Sequence, residues 1–356
     1  MIASKSPRQV LFAAWQIGKA TLRPYAHRFS PKKFTQPQLF ACLVLKEFLK
    51  LDFRGLEELL KDAPQLRSTI ELRTVPHFTT FHKASQRLLR FRRAKRMLRE
   101  TVHQATTKHL VKRKVRLAAM DGTGLESHHA SSYYVQRKAK GGKSKQNIHY
   151  QRFPKMGLVC DCASHFTLAL VPGRGPGPDI KHYREALAQA LQSVGIETIA
   201  ADAGYDSEAS HEYARQTCHV RSLIPPLIGR PTDKPPSGYW RRQMKSRLHL
   251  TRYGQRWQVE TVNSMLKRLL GSALRARTYW NQQREMFLMV LTLNIMILAA
   301  LIHRLFYRAG QVQFIASWAA PACEVLLPDR SKGSGLTDVA IPWESDAGAT
   351  AWPERR

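Results

Sequence analysis

The stretch YGQRWQVETVNSMLK, from Tyr253 to Lys267, decides how the rest of the chain reads. Taken as a helix at 100° per residue, it puts Tyr253, Arg256, Glu260 and Lys267 within roughly 60° of one another, with Val259, Val262, Leu266, Leu269 and Leu270 on the far side. One polar stripe therefore carries a carboxylate among two cations and a phenol. A surface helix commonly pairs Glu with Lys four residues on. Here Ser264 holds that place, so helix-pair stabilisation accounts poorly for the stripe, and a metal ion beside a phosphate suits it better. The plain alternative is a solvated charged face, which is common on basic proteins.

Two further carboxylates tilt the balance, each at the end of a strand-like run. Arg116-Leu117-Ala118-Ala119-Met120 leads into Asp121 and the turn Gly122-Thr123-Gly124, and Thr198-Ile199-Ala200-Ala201 leads into Asp202, Ala203, Gly204 and Tyr205. Short apolar runs stopped by glycine read as buried strands. An isolated Asp before Gly is usually a turn former; three acids in this context are a different proposition.

The spacing Y-x2-R-x3-E-x6-K, together with MDGTG and ADAGYDSE upstream, resembles the DDE transposases of bacterial insertion sequences, in the group carrying the Y-R-E-K signature. The resemblance covers roughly residues 30 to 305. It implies an α/β fold, an RNase H-like mixed sheet flanked by helices, preceded by an all-helical DNA-binding domain. The expected division is 1–110 for a helix-turn-helix-like region that binds DNA ends, 111–310 for the catalytic domain and 311–356 for a tail.

Composition agrees with a polyanion partner. The 356 residues carry 57 Lys and Arg against 26 Asp and Glu, a net charge of +31, and 43% are hydrophobic, enough for a sizeable core. An anionic membrane surface would also attract such a chain. Cys42, Cys160, Cys162, Cys218 and Cys323 are odd in number and scattered, which indicates neither a disulfide framework nor a zinc site and fits a reducing bacterial cytoplasm. The run Val10 to Ile17 is too short and too interrupted for a secretory signal.

Along the first hundred residues, a leading helix gives way to a basic linker around Pro24 and Pro31. Thr35 with Pro37 opens a second helix, Asp52 caps another that Pro64 closes, and Thr79 or Thr80 stands near the cap of a helix from Phe81 to about Leu98. That last helix carries Lys83, Arg87, Arg90, Arg92, Arg93, Lys95, Arg96 and Arg99. Eight cations in so short a span argue for a phosphate backbone. In the resembling family this region binds terminal inverted repeats, and Lys83, Arg87 and Arg90 are the candidate contacts; a merely solubilising basic helix is the alternative.

Strands follow from about residue 115. Arg137, Lys138, Lys140, Lys143 and Lys145 crowd a Gly-containing loop between Tyr133-Tyr134 and His149-Tyr150, suited to closing on DNA or to being an ordinary charged hairpin tip. Met156–Ala163 and Phe166–Val171 read as a hairpin, Asp179 as the cap of a helix through Val194, and Ser207–Thr217 and Val220–Ile224 as a helix and a strand. Residues 227 to 250, basic and broken by Pro231, Pro235 and Pro236, read as an irregular loop facing DNA. Trp240 and Trp257 are candidates to stack on an unpaired base, or ordinary core and rim residues.

Met286 to Ile302 is the one apolar run near membrane-spanning length, but Asn294 sits in its middle and no second such run exists. A helix buried against the sheet is expected, with no membrane partner. Beyond Trp318 six acids face four bases with four prolines and no periodicity, which reads as disorder.

The resemblance implies two Mg²⁺ ions, with Mn²⁺ able to substitute, held by Asp121, Asp202 and Glu260; carboxylates are the hard oxygen ligands these ions prefer. It further implies that Tyr253, Arg256 and Lys267 grip the phosphates, that the partners are double-stranded DNA at the element ends and the target, and that a homodimer forms in a synaptic complex. A metal-dependent nuclease or resolvase without strand transfer, and an inactive DNA-binding derivative, remain the alternatives.

Overall fold

The computed structural model describes residues 3–127, 153–227 and 235–318. Met1–Arg308 form one compact unit and Ala309–Arg356 a second. The basic loop with Arg137, Lys138, Lys140, Lys143 and Lys145, and the tail beyond 318, lie outside the described residues.

Helices open the chain, and their starts follow local chemistry. In α1 (Pro7–Thr21) the hydroxyl of Ser6 accepts from Gln9 N and Pro7 occupies the first turn, where a missing N–H costs nothing. In α2 (Gln36–Phe48) Thr35 and Gln38 form a reciprocal capping box. Asp52 caps α3 (Phe53–Asp62) by accepting from Gly55 N at 2.6 Å. Pro64 does more than close α3, because it also opens a short helix, α4 (Pro64–Thr69).

The basic span departs from the single helix expected. It divides into α5 (Phe78–Leu88) and α6 (Phe91–Thr107), with Arg90 extended between them. Leu88 and Leu89 are both buried at the break, and the change of direction lets Ala94, Met97, Leu98, Val102 and Ala105 pack inward along α6. Neither Thr79 nor Thr80 caps α5; the Glu57 carboxylate on α3 accepts from Phe78 N at 2.7 Å instead. A tertiary contact has replaced the local one.

The chain then builds a sheet. A short strand β1 (Lys114–Val115) precedes β2 (Ala118–Gly124), which runs through Asp121 rather than ending at it, and β3 (Glu126–Ser127) follows. β4 (Phe153–Asp161) and β5 (Thr167–Gly175) make the expected hairpin. After it come α7 (Ile180–Leu191), β6 (Gly195–Ile196), β7 (Thr198–Ala201), α8 (Glu208–Glu212) with a π turn over Tyr213–Thr217, and β8 (Arg221–Leu223). The main sheet is mixed, in the order β5-β4-β2-β7-β8, with β4 antiparallel to both neighbours and β7 parallel to β2 and β8.

Residues 227 to 250 were expected to be irregular, yet Tyr239–Arg247 form a helix, α9. Its start is built by α8: Glu208 accepts from Trp240 N and Arg241 N at 3.0 and 3.2 Å, and a side chain on Gly238, at φ +94°, would strike that carboxylate. Arg241 also forks onto Asp206, whose side chain is fully buried, at 2.6 Å. A 3₁₀ segment over Arg252–Trp257 then leads into α10 (Gln258–Leu270), followed by β9 (Ala273–Leu274) beside β3 and by the long α11 (Tyr279–Trp318).

α11 contains the apolar run, with Tyr279–Leu301 long and apolar enough to cross a bilayer by length and composition; 83% of its most apolar window is buried inside the protein. Asn294 is fully buried there and fully used. Its amide donates to Thr101 Oγ1 and Thr167 O at 3.1 and 2.8 Å and accepts from Thr167 N at 3.0 Å, joining α11 to α6 and β5.

A buried histidine adds a pH dependence to this core. His211 on α8 shares Ser222 Oγ at 2.7 Å with Arg215, which donates to the same oxygen at 2.9 Å. Burial, with the nearby Arg215 and Arg241 charges, pushes its pKa down to about 4 against the opposing pull of Asp206 and Glu208. Because the folded-state value lies below the ordinary 6.5, the unfolded chain binds the extra proton first as pH falls. Stability contributed by neutral His211 is present above about pH 6.5 and lost between there and pH 4, about 3 kcal/mol in all. Urea unfolding of wild type and His211→Gln across that window is expected to show the extra loss in the wild type alone; parallel curves would contradict it.

Candidate active site

The register of the sheet places the first two acids. Met120 pairs with Ala201 across the parallel β2–β7 ladder, so Asp121 and Asp202, each the next residue, emerge side by side from neighbouring strands. Both are half-buried. Asp202 turns its carboxylate onto Gly204 N at 3.0 Å, which closes the turn after β7. α10 packs against β2 and buries Val259, Val262, Leu266 and Leu270, and from it Asn263 donates to Asp121 Oδ2 at 2.9 Å.

The electrostatics show how these groups share a site. Burial pushes the Asp121 carboxyl up to about 6, Asp202 and Glu260 add to the rise, and the Gly122 N–H and Arg256 oppose it. Burial also raises Asp202, with Asp179 adding and Arg256 and Lys155 opposing. Arg256 thus counters both aspartates. Burial raises the Tyr253 phenol too, against the pull of Arg256.

An open depression is lined by Asp121, Thr123, Glu260, Asn263, Ser264, Lys267 and Arg268, so Asp121, Glu260 and Lys267 of the predicted set share one surface. Two expectations about the polar stripe need correction. Tyr253 and Arg256 belong to the 3₁₀ segment, where the rise and rotation differ from those of α10, so the four residues do not ride one helix. Glu260 does have a helix-spaced partner, but on its N-terminal side: Arg256 binds it directly.

Sequence reading missed three residues here. Asn263 is three after Glu260 and falls on the same face, so helical spacing alone could have found it. Asp179 stands at the N-cap position of α7, as expected, but its side chain makes no capping bond. Instead it pairs with Lys155 at 2.7 Å and lies so close to the strand that a Cβ on Gly122 would stand 2.2 Å from its Oδ1. Lys155 also donates to Gly177 O at 3.0 Å. A fourth carboxylate therefore stands at the residue after Asp121, and no local signal in the sequence marks it.

The remaining candidates are elsewhere or outside the described residues. Lys83 and Arg87 sit on α5 and Arg90 at the break, all exposed; Arg137, Lys138, Lys140, Lys143 and Lys145 are not described. Trp257 is 55% exposed beside Arg256, whereas Trp240 lies half-buried under the Arg215 guanidinium, 4.4 Å from its ring centre.

Asp121, Asp202 and Glu260 offer hard oxygen donors, and the strain on Asp121 is the kind that a cation relieves, since burial disfavours its charge until a counter-charge arrives. The donor chemistry fits a divalent ion. Among the described residues no three His, Cys, Asp or Glu side chains are gathered closely enough to hold one, and Glu260 is engaged by Arg256.

The chain is thus a mixed α/β protein, a mixed sheet flanked by helices, with Asp121 within β2, Asp202 directly after β7 and Glu260 on the helix beside them. The family model described as Transposase DDE domain matches residues 112–295, just over half of the chain, and the protein belongs to that family. No curated protein matches it.

Proposed function

We propose that the protein is an insertion-sequence transposase of the Y-R-E-K signature group, with an RNase H-like catalytic region over 111–310 and DNA-end-binding helices over 1–110. The observation that carries this reading is the emergence of Asp121 and Asp202 from paired neighbouring strands with α10 packed beside them, inside the matched region. Asp121, Asp202 and Glu260 would hold two Mg²⁺ ions, for which Mn²⁺ could substitute. Such ions, when bound, generate an oxygen nucleophile at neutral pH and stabilise the leaving oxygen.

The protein's own residues have separate tasks. Asn263 orients Asp121 by donating to Oδ2. Arg256 must leave Glu260, and a DNA phosphate offers it the same charge-assisted bond; substrate thereby releases the third acid. Lys267 lines the depression and would hold a neighbouring phosphate, with Tyr253 on the same backbone. In the first step a water oxygen bonds to phosphorus as the P–O3′ bond breaks, and the 3′ oxygen leaves with a proton. In the second, that 3′-hydroxyl attacks a target phosphate and displaces a target 3′-hydroxyl. Joining two ends implies a homodimer on double-stranded DNA.

The direct test is cleavage of DNA bearing the element's ends with Mg²⁺ and with EDTA. Nicking at the end that requires metal supports the reading. A second reading, a chain that binds DNA without cutting, is favoured by the Arg256–Glu260 pair and by the ungathered acids; end binding without nicking in Mg²⁺ supports it.

Asp179 supplies a further expected result. Its charge occupies Lys155, which otherwise has Asp202, whose carboxyl already feels its charge. Asp179→Asn is expected to raise the Mg²⁺ concentration for half-maximal cleavage by about tenfold, and Lys155→Met added to it is expected to restore most of the loss. An unchanged Mg²⁺ requirement in Asp179→Asn would contradict this role.

A further inference from the structure

Away from the acids, aromatic rings and cations alternate across three elements. The Arg174 guanidinium at the end of β5 lies 4.0 Å over the ring of Tyr279, and Tyr279 and Trp280 on the first turn of α11 stand 5.6 Å apart, tilted. Trp280 then shares a groove with Arg284, one turn on, and with Arg90 and Phe91 at the start of α6. Phe91 is anchored edge-on to buried Phe287 at 5.7 Å, so the α6 wall of the groove is fixed.

Trp280 is 67% exposed. An indole left in water at a rigid helix start is a large apolar face without a covering. Its cationic neighbours lack a counter-charge: among the described residues Arg90, Arg174 and Arg284 have no carboxylate partner. Arg90 and Arg284 line the same groove, and burial and the charge of Arg90 lower the pKa of Arg284. The amide of Asn281 accepts from Arg284 and steadies it. A flat π-face flanked by unneutralised guanidinium groups is what an unpaired nucleotide needs, with its base stacked and its phosphates paired. A duplex offers phosphates but hides its base faces.

We propose that this groove binds single-stranded DNA, one unpaired base stacking on Trp280 while Arg90 and Arg284 hold the phosphates on either side of it. The site is separate from the acid-bearing depression and adds to the helical region a contact from α11. It rests on the reading that the chain binds DNA, but not on its cutting it.

The test compares fluorescence anisotropy of a blunt duplex with that of the same duplex carrying a short single-stranded overhang, for wild type, Trp280→Ala, Trp280→Phe and Arg284→Ala. The wild type is expected to bind the overhang about tenfold more tightly, within the range of one base–aromatic stack. Trp280→Ala is expected to erase that preference and Trp280→Phe to keep most of it. Arg284→Ala is expected to weaken overhang binding and flatten its salt dependence. Trp280 is exposed, so its loss should leave folding intact, as a circular dichroism melt can verify. An overhang preference that survives in Trp280→Ala, or equal wild-type binding of both DNAs, would overturn this site alone. Wild-type binding of neither DNA would overturn the DNA reading with it.

Discussion

Replacing Glu260 by Gln is expected to lower metal-dependent cleavage of element ends by about a thousandfold or more, while affinity for those ends stays within about threefold. The amide keeps the size of the side chain but removes the charge that would hold a cation. Folding should be spared, because the Glu260 side chain is 55% exposed and an exposed pair with Arg256 is worth at most about 1 kcal/mol. Freed from Glu260, Arg256 remains available to phosphate, so binding is retained or slightly improved. Gel-shift and cleavage assays on the same preparations would separate the effects. A variant that cleaves within about tenfold of wild type would remove Glu260 from the chemistry.

The second large effect is on stability. Asn294→Leu is expected to cost about 4 kcal/mol, measured by urea unfolding, although it makes an already apolar helix more apolar. Leucine cannot replace the three hydrogen bonds to Thr101 and Thr167, and it leaves the N–H and C=O of Thr167 unpaired in the interior, each costing about 1–3 kcal/mol. The sign discriminates between environments. In a lipid-facing helix the substitution would be neutral or favourable, so a loss under 1 kcal/mol would count against α11 as the core helix this structure makes it.

How far the sequence carried these conclusions depended on where each signal resides. The strands bearing the first two acids were legible because an apolar run leading into an acid and a glycine is a local pattern, although β2 continues past that point to Gly124; that Asp121 and Asp202 emerge together follows from strand register, which the run itself does not contain. The caps at Thr35 and Asp52 were legible for the same local reason. The break at Arg90 was not, since Arg-Leu-Leu-Arg-Phe-Arg-Arg favours continuous helix and only the burial of both Leu88 and Leu89 turns the chain. α9 escaped notice because Met244 is its one buried residue, too little for a periodic stripe, and because its start is capped by Glu208 from another element. In the site, Asn263 lay within reach of helical spacing. The Asp179–Lys155 pair did not, because it exists only where β4, α7 and Gly122 meet.

The acid-bearing site can be judged on one experiment: incubating the wild-type protein with a pre-nicked element end carrying a free 3′-hydroxyl and a target plasmid, in Mg²⁺ and in EDTA, and sequencing the junctions. Joined molecules linking that 3′ end to target DNA, formed in Mg²⁺ and absent in EDTA, are the expected result. Ends that are bound but never joined, with metal and target supplied, would contradict transposase chemistry at Asp121, Asp202 and Glu260.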